Sequence, residues 1–176
     1  MRHLLLALLA ASTVLAQESG WKEEALPAIK GALLLPEGWH IKEETEDGVA
    51  VYQITREKVD SSSDTFTDEL ILSATPKVPE RAGMKPSEYA AELLASALEE
   101  GGKELQKSEE GAVKSFRTEY MIESEQGKML VINIAKANDT TGTLYFLTWQ
   151  SLASEPAALA GQREKILASL KLDPAF

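Results

Sequence analysis

The chain has no cysteine. That excludes disulfide staples, thiol nucleophiles and zinc sites built from the usual cysteine and histidine sets. Histidine is almost as scarce, with only His3 and His40 in 176 residues. A Ser-His-Asp triad in the body of the chain has His40 alone to draw on, and no Gly-x-Ser-x-Gly elbow accompanies it. Positive charge is also in short supply. Eighteen Lys and Arg stand against 28 Asp and Glu, for a net charge of −10. The basic residues are dispersed, with no run of the kind that tracks phosphates, so nucleic acid and anionic membrane surfaces are excluded as partners. Long apolar runs are confined to the amino terminus, where the run is too short for a membrane span of about 20 residues.

That run has a function of its own. Met1-Arg2-His3 gives a positive start, Leu4 to Ala11 a short apolar core, and Val14-Leu15-Ala16 the small residues a signal peptidase needs. The pattern predicts a secretory signal over residues 1–16, cut between Ala16 and Gln17. No cysteine follows the cut, so no lipid is anchored there. The expected mature protein is exported, periplasmic or secreted. Removing the signal takes away Arg2 and no acid, leaving 160 residues with a net charge of −11. A chain of that length forms one domain and buries about two thirds of its unfolded surface, enough to stand without staples.

Residues 17–30 read as a lead-in with a turn or two of helix, and residues 31–176 as a single domain. Gly31 to Pro36 reads as a strand ending in a Pro36-Glu37-Gly38 turn. Trp39 to Glu44 is a second extended stretch. Asp47-Gly48 marks a hairpin, and Val49 to Thr55 alternates as a strand. Arg56 to Asp68 is polar and aperiodic, so it reads as a mobile loop. Glu69 to Lys77 is again a strand. Lys85 to Glu100 is the clearest helix, with Pro86 at its first position, Glu88 in its first turn and Gly101-Gly102 to stop it. Residues 103–152 hold three or four strands, of which Met129 to Ala137 is apolar on both faces and therefore central. A last helix runs from Ser154-Glu155-Pro156 to Leu170. The order β-β-β-α-β-β-β-α predicts an α+β sandwich: a mainly antiparallel sheet of about six strands with helices on both faces.

Particular segments carry a resemblance. They are Leu33-Leu34-Leu35-Pro36-Glu37-Gly38-Trp39, Lys85-Pro86-Ser87-Glu88-Tyr89-Ala90-Ala91, Leu144-Tyr145-Phe146-Leu147-Thr148-Trp149, and the closing Lys165-Ile166-Leu167-Ala168-Ser169-Leu170. Together they resemble the PsbP-like fold family, named for an extrinsic subunit of photosystem II and shared by a Ran-binding nuclear transport protein and several exported bacterial proteins. The resemblance spans most of the mature chain. It implies a non-enzymatic accessory or protein-binding role, with another extracytoplasmic protein as partner and no cofactor. No partner-contact motif of those relatives is matched here, and fold alone does not give function.

The residues themselves offer few chemistries. His40 follows a turn beside Trp39, and both are candidates for a ligand or partner surface. So is Arg117, a charge in a strand of otherwise apolar pattern, where a solvated sheet edge is the plain reading. Asp60, Asp64 and Asp68 recur every four residues, but the calcium-loop pattern with its central glycine and final glutamate is absent. Asn138-Asp139-Thr140 matches a glycosylation acceptor within a turn sequence. Two further functions stay open. A small-ligand carrier needs a pocket between sheet and helix, lined by residues such as Trp21, Tyr89 or Trp149. A carboxylate hydrolase needs two acids facing each other in a cleft.

Overall fold

Alternation of apolar and polar residues builds most of the molecule, as the computed structural model shows for residues 20–58, 66–99, 101–103, 106–173 and 175. The segment read as a secretory signal, with Ala16 and Gln17, and the aspartates Asp60 and Asp64, lie outside these described residues. In chain order the elements are β1 (Trp21–Leu26), a 3-10 turn (Pro27–Ile29), β2 (Gly31–Pro36), β3 (His40–Glu46), β4 (Val49–Thr55), β5 (Asp68–Thr75), α1 (Val78–Ala82), α2 (Pro86–Glu99), β6 (Gln106–Glu110), β7 (Val113–Ser124), β8 (Gly127–Asn138), β9 (Thr143–Leu152), α3 (Ala157–Ser169) and β10 (Lys171–Leu172). The fold is α+β, and every strand pairing among the described residues is antiparallel.

Two sheets result where one was expected. The larger has seven strands in the order β3-β4-β5-β9-β8-β7-β6, and the smaller has the order β1-β2-β10. The expected helical turn in the lead-in is the 3-10 turn, but the residues before it form β1, which pairs with β2 along its whole length. Strand β1 escapes a reading by period because Lys22, Glu23 and Glu24 interrupt any apolar alternation.

The hairpin signal is realised. Asp47 and Gly48 both take positive φ, 49° and 72°, which is the type I′ geometry that matches strand twist. At Pro36-Glu37-Gly38 the turn forms one residue later than the proline suggests. The Trp39 amide donates to the Pro36 carbonyl at 3.4 Å, so Glu37 and Gly38 are the corners and Pro36 the first residue.

Each face of the large sheet has its own core. On one face Tyr52, Ile54, Leu70, Leu72, Ile132, Tyr145, Leu147 and Trp149 pack against Leu26, Ile29, Leu33 and Leu35 of the small-sheet segment and Ile166 of α3. On the other, Phe116, Ala135, Ala137 and Leu144 pack against Ala90 and Leu94 of α2 and Val78 of α1. The strict alternation of β9 divides its residues between the two. The expected layer of helices on each face is thus replaced on one side by the small sheet, with α3 alongside it. On the other side it covers only part of the sheet, because α2 packs on β7, β8 and β9.

Candidate functional site

A helix about 10 Å across covers roughly two strands spaced about 4.8 Å apart. Helix α2 therefore leaves the β3–β5 side of its face uncovered, although Thr55 and Glu69 at one end of that side are buried. Register places its residues in rows. His40, Thr55, Glu69 and Gln150 form one, Lys42, Gln53, Ile71 and Thr148 the next, and Glu44, Val51, Ser73 and Phe146 the third. Val51, Gln53, Ile71, Ser73, Phe146, Thr148 and Gln150 are all half-buried, whereas their neighbours on the opposite face, Tyr52, Leu70, Leu72, Leu147 and Trp149, are buried.

The polar groups on this face hold one another in place. Gln53 Nε2 donates to Glu69 Oε1 at 2.7 Å, and Thr148 Oγ1 donates to Asn133 Oδ1 at 3.0 Å. Asn133 Nδ2 reaches the Tyr120 hydroxyl at 3.4 Å. At one end the surface dips into a hollow of about 210 Å³ lined by Phe66, Glu69, Ile122, Met129 and Gln150, among others. The result is a fixed surface of mixed apolar and amide character.

Only one of the three candidates read from sequence belongs to it. His40 is exposed at the outer rim, on edge strand β3. Trp39 turns to the opposite face and packs on Trp149, with ring centroids 5.6 Å apart and planes tilted 39°. Arg117 also belongs to that opposite face, and its strand β7 is internal to the sheet, so the solvated-edge reading fails. Its guanidinium bridges Glu119 at 2.8 Å and Glu164 of α3 at 3.2 Å. Although burial opposes it, hydrogen bonding and charge from Arg117 hold both carboxyls below their usual range, helped at Glu119 by Lys103 and at Glu164 by Arg163. Arg117 is a clasp for α3.

The glycosylation match is a structural device as well. Asn138 is buried, and its side-chain oxygen accepts from the Thr140 and Thr141 amides. Asp139 in the same turn caps α2, accepting from the Ser87 amide at 2.9 Å and the Ser87 hydroxyl at 2.8 Å. Burial acts to raise its carboxyl, but Lys114, 2.9 Å away, and Ser87 outweigh it and hold the carboxyl below the usual value.

Trp21, Tyr89 and Trp149, the aromatic residues expected to line a ligand pocket, have other places among the described residues. Trp149 is core, Tyr89 packs against the α2 cluster, and Trp21 lies under the Lys165 ammonium at 4.1 Å. A groove of about 430 Å³ opens instead beside β10, lined in part by Glu110, Lys136, Tyr145, Lys171 and Asp173. Burial, with Asp173 nearby, pushes the Tyr145 phenol up to about 12, and its hydroxyl donates to the Ile29 carbonyl at 3.4 Å.

Two acids do meet elsewhere. Asp68 ends the described part of the serine-rich stretch and begins β5. With Glu155, from the β9–α3 turn, it lines a cleft of about 140 Å³. Each is bound to a guanidinium, Asp68 to Arg56 at 3.0 Å and Glu155 to Arg163. Burial nonetheless pushes both carboxyls up, and their mutual repulsion adds to the rise at Glu155. Among the described residues no group of three or more acids or histidines is placed to hold a metal ion.

The open face left one trace in the sequence: Gln53, Ser73, Thr148 and Gln150 occupy alternate positions on strands whose other positions are apolar. The cleft left none, since its acids come from segments 87 residues apart.

An α+β fold with a partly uncovered sheet face is what the geometry defines, and solved structures share that fold. A solution structure of cyanobacterial PsbP, CyanoP, from Synechocystis matches with a TM-score of 0.57 at 9% identity, over 93% of this chain and 99% of its own. A crystal structure from Bacteroides thetaiotaomicron gives 0.52 at 13% identity over 86% of this chain and 48% of its own, so this chain spans about half that protein's length. A mutant of Mog1 gives 0.49 at 14% identity, over 86% of this chain and 95% of its own. The fold is PsbP-like. No family model matches the chain, and no curated protein sequence matches it.

Proposed function

We propose that the chain is an exported, non-enzymatic module that binds another protein through the open half of its large sheet. The observation that carries this reading is the half-buried surface from Val51 to Gln150, left uncovered by α2 and mixed in character. Recognition interfaces have this composition, with apolar and aromatic contacts among polar groups that find partners on both sides. Export is supported by the Arg2 start, apolar core and Ala16 cut of the first residues.

The test is a photo-reactive residue placed at Ser73 in the full-length chain expressed in its own cell. Cross-linked products are recovered from the extracytoplasmic fraction and identified by mass spectrometry. One stoichiometric protein product, absent when the probe sits at exposed Glu80, supports the reading. A probe at Ser73 that captures nothing removes this face as the interface. Amino-terminal sequencing of the recovered chain checks export, with Gln17 the expected first residue.

The carrier reading is favoured by one feature, the 430 Å³ groove beside Tyr145. A ligand held there raises the melting temperature in a concentration-dependent way.

A further inference from the structure

Around the cleft between the start of β5 and the start of α3, three carboxylates, Glu57, Asp68 and Glu155, face two guanidiniums, Arg56 and Arg163. With all three ionised one negative charge is left over, and Arg163 is shared with Glu164 besides. The oxygens are also incompletely used. Oε2 of Glu57 and Oε2 of Glu155 are buried with no close hydrogen-bond partner, although the other oxygen of each is bonded, to Thr67 and to Arg163, and the Ser151 hydroxyl lies near enough to Glu155 to favour its charged form. The Glu155 side chain is only 8% exposed. A buried carboxylate oxygen with no donor is costly, and the usual remedy is a cation with hydrogens to give.

The cleft is also lined by the apolar residues Leu152, Pro156 and Leu159. One side for an alkyl stem and one for a positive head is the complement of an extended alkylammonium, the group that lysine carries. The volume, about 140 Å³, suits a compact ammonium at the end of a short chain.

We propose that this cleft is a binding site for an alkylammonium group, with Glu155 and Asp68 taking the head and Leu152, Pro156 and Leu159 the stem. The ammonium is a lysine of the partner protein. That identity rests on the protein-binding reading above, whereas the site does not. Position favours it: Asp68 lines this cleft and the next residue, Glu69, lines the hollow at the end of the open sheet face. A partner lying on that face has its lysine within reach of the cleft around one end of β5.

The test is a titration of the intact mature chain followed by the methyl resonances of Leu152 and Leu159. The probes are n-butylammonium, the uncharged isostere n-butanol, and lysine blocked as N-acetyl-lysine methylamide. The expected result is saturable shifts of these methyls with the two cations and none with butanol. Glu155→Gln is expected to weaken the response about tenfold. The wild-type titration stands on its own if that variant fails to fold. A response to butylammonium with none to blocked lysine supports the site and points to a free amine as its ligand. Absence of saturation with both cations, or an equal response to butanol, overturns the proposal. Cross-linking at Ser73 is independent of either result, so failure of the site and failure of the protein-binding reading are told apart.

Discussion

At the scale of single residues, the buried carboxyls decide how the molecule responds to pH. Asp68 and Glu155 hold their protons more tightly folded than unfolded, because burial disfavours the charge. Stability therefore falls as pH rises from the unfolded carboxylate value, about 4, through their raised folded values. Glu119, Asp139 and Glu164 are held low and act in the opposite sense. Their stabilisation is complete above the unfolded value and is lost as pH falls through their folded values. The two sets therefore act on opposite sides of the unfolded carboxylate value. Asp68→Asn is expected to flatten the decline that sets in as pH rises above the unfolded carboxylate value, as read from denaturant midpoints from that pH upward. An unchanged slope would show that Asp68 is ionised without penalty. None of this was legible from Asp68 in the sequence, where it reads as one of three spaced aspartates in a polar loop. Its partners Arg56, Glu155 and Arg163 are assembled only by pairing of β5 with β9 and the return of α3.

Among the elements, the two long helices differ in how they are attached. Helix α2 was readable to within a residue at each end, because Pro86, Glu88 and the Gly101-Gly102 pair are local signals. Its cap is not local: Asp139, from the β8–β9 turn, supplies the acceptor for the Ser87 amide. Asp139→Ala is expected to cost about 1–2 kcal/mol, the usual value of an N-cap, measured by denaturant unfolding. A loss within error would mean that the Glu88 carboxylate, which accepts from the Lys85 amide at 3.1 Å, is cap enough. Helix α3 has a weaker apolar stripe and is held by points: Ile166 in the core, Glu164 to Arg117, and Ser169 Oγ, which accepts from the Leu34 amide at 2.8 Å. Ile166 is fully buried, so Ile166→Ala is expected to cost about 2–5 kcal/mol. It is also expected to speed hydrogen exchange across α3 more than across α2. Equal acceleration in both helices would mean that the two cores unfold as one unit.

For the molecule as a whole, the open sheet face and the packed core are separable. Ser73 is half-buried on the open side, so Ser73→Arg is expected to abolish capture of a partner while moving the melting temperature little. Loss of stability to the same extent as loss of capture would assign the face to folding instead. What the sequence determined by itself is what depends on neighbours along the chain: the hairpin at Asp47-Gly48, the alternation of β4, β5 and β9, the span of α2, and the α+β class with antiparallel pairing. The PsbP-like framework was legible for the same reason, since its segments are short and contiguous. Tertiary structure decided what depends on residues far apart. A strand as polar as β1 is stabilised only by pairing with β2, so no period announces it. Arg117 becomes a clasp only because α3 brings Glu164 to it. The uncovered face exists because one helix is too narrow for seven strands, and the acidic cleft because pairing of β5 with β9 brings the start of β5 beside the β9–α3 turn. Local propensity fixes each element, but width, register and the return of the chain decide which surfaces are left to bind.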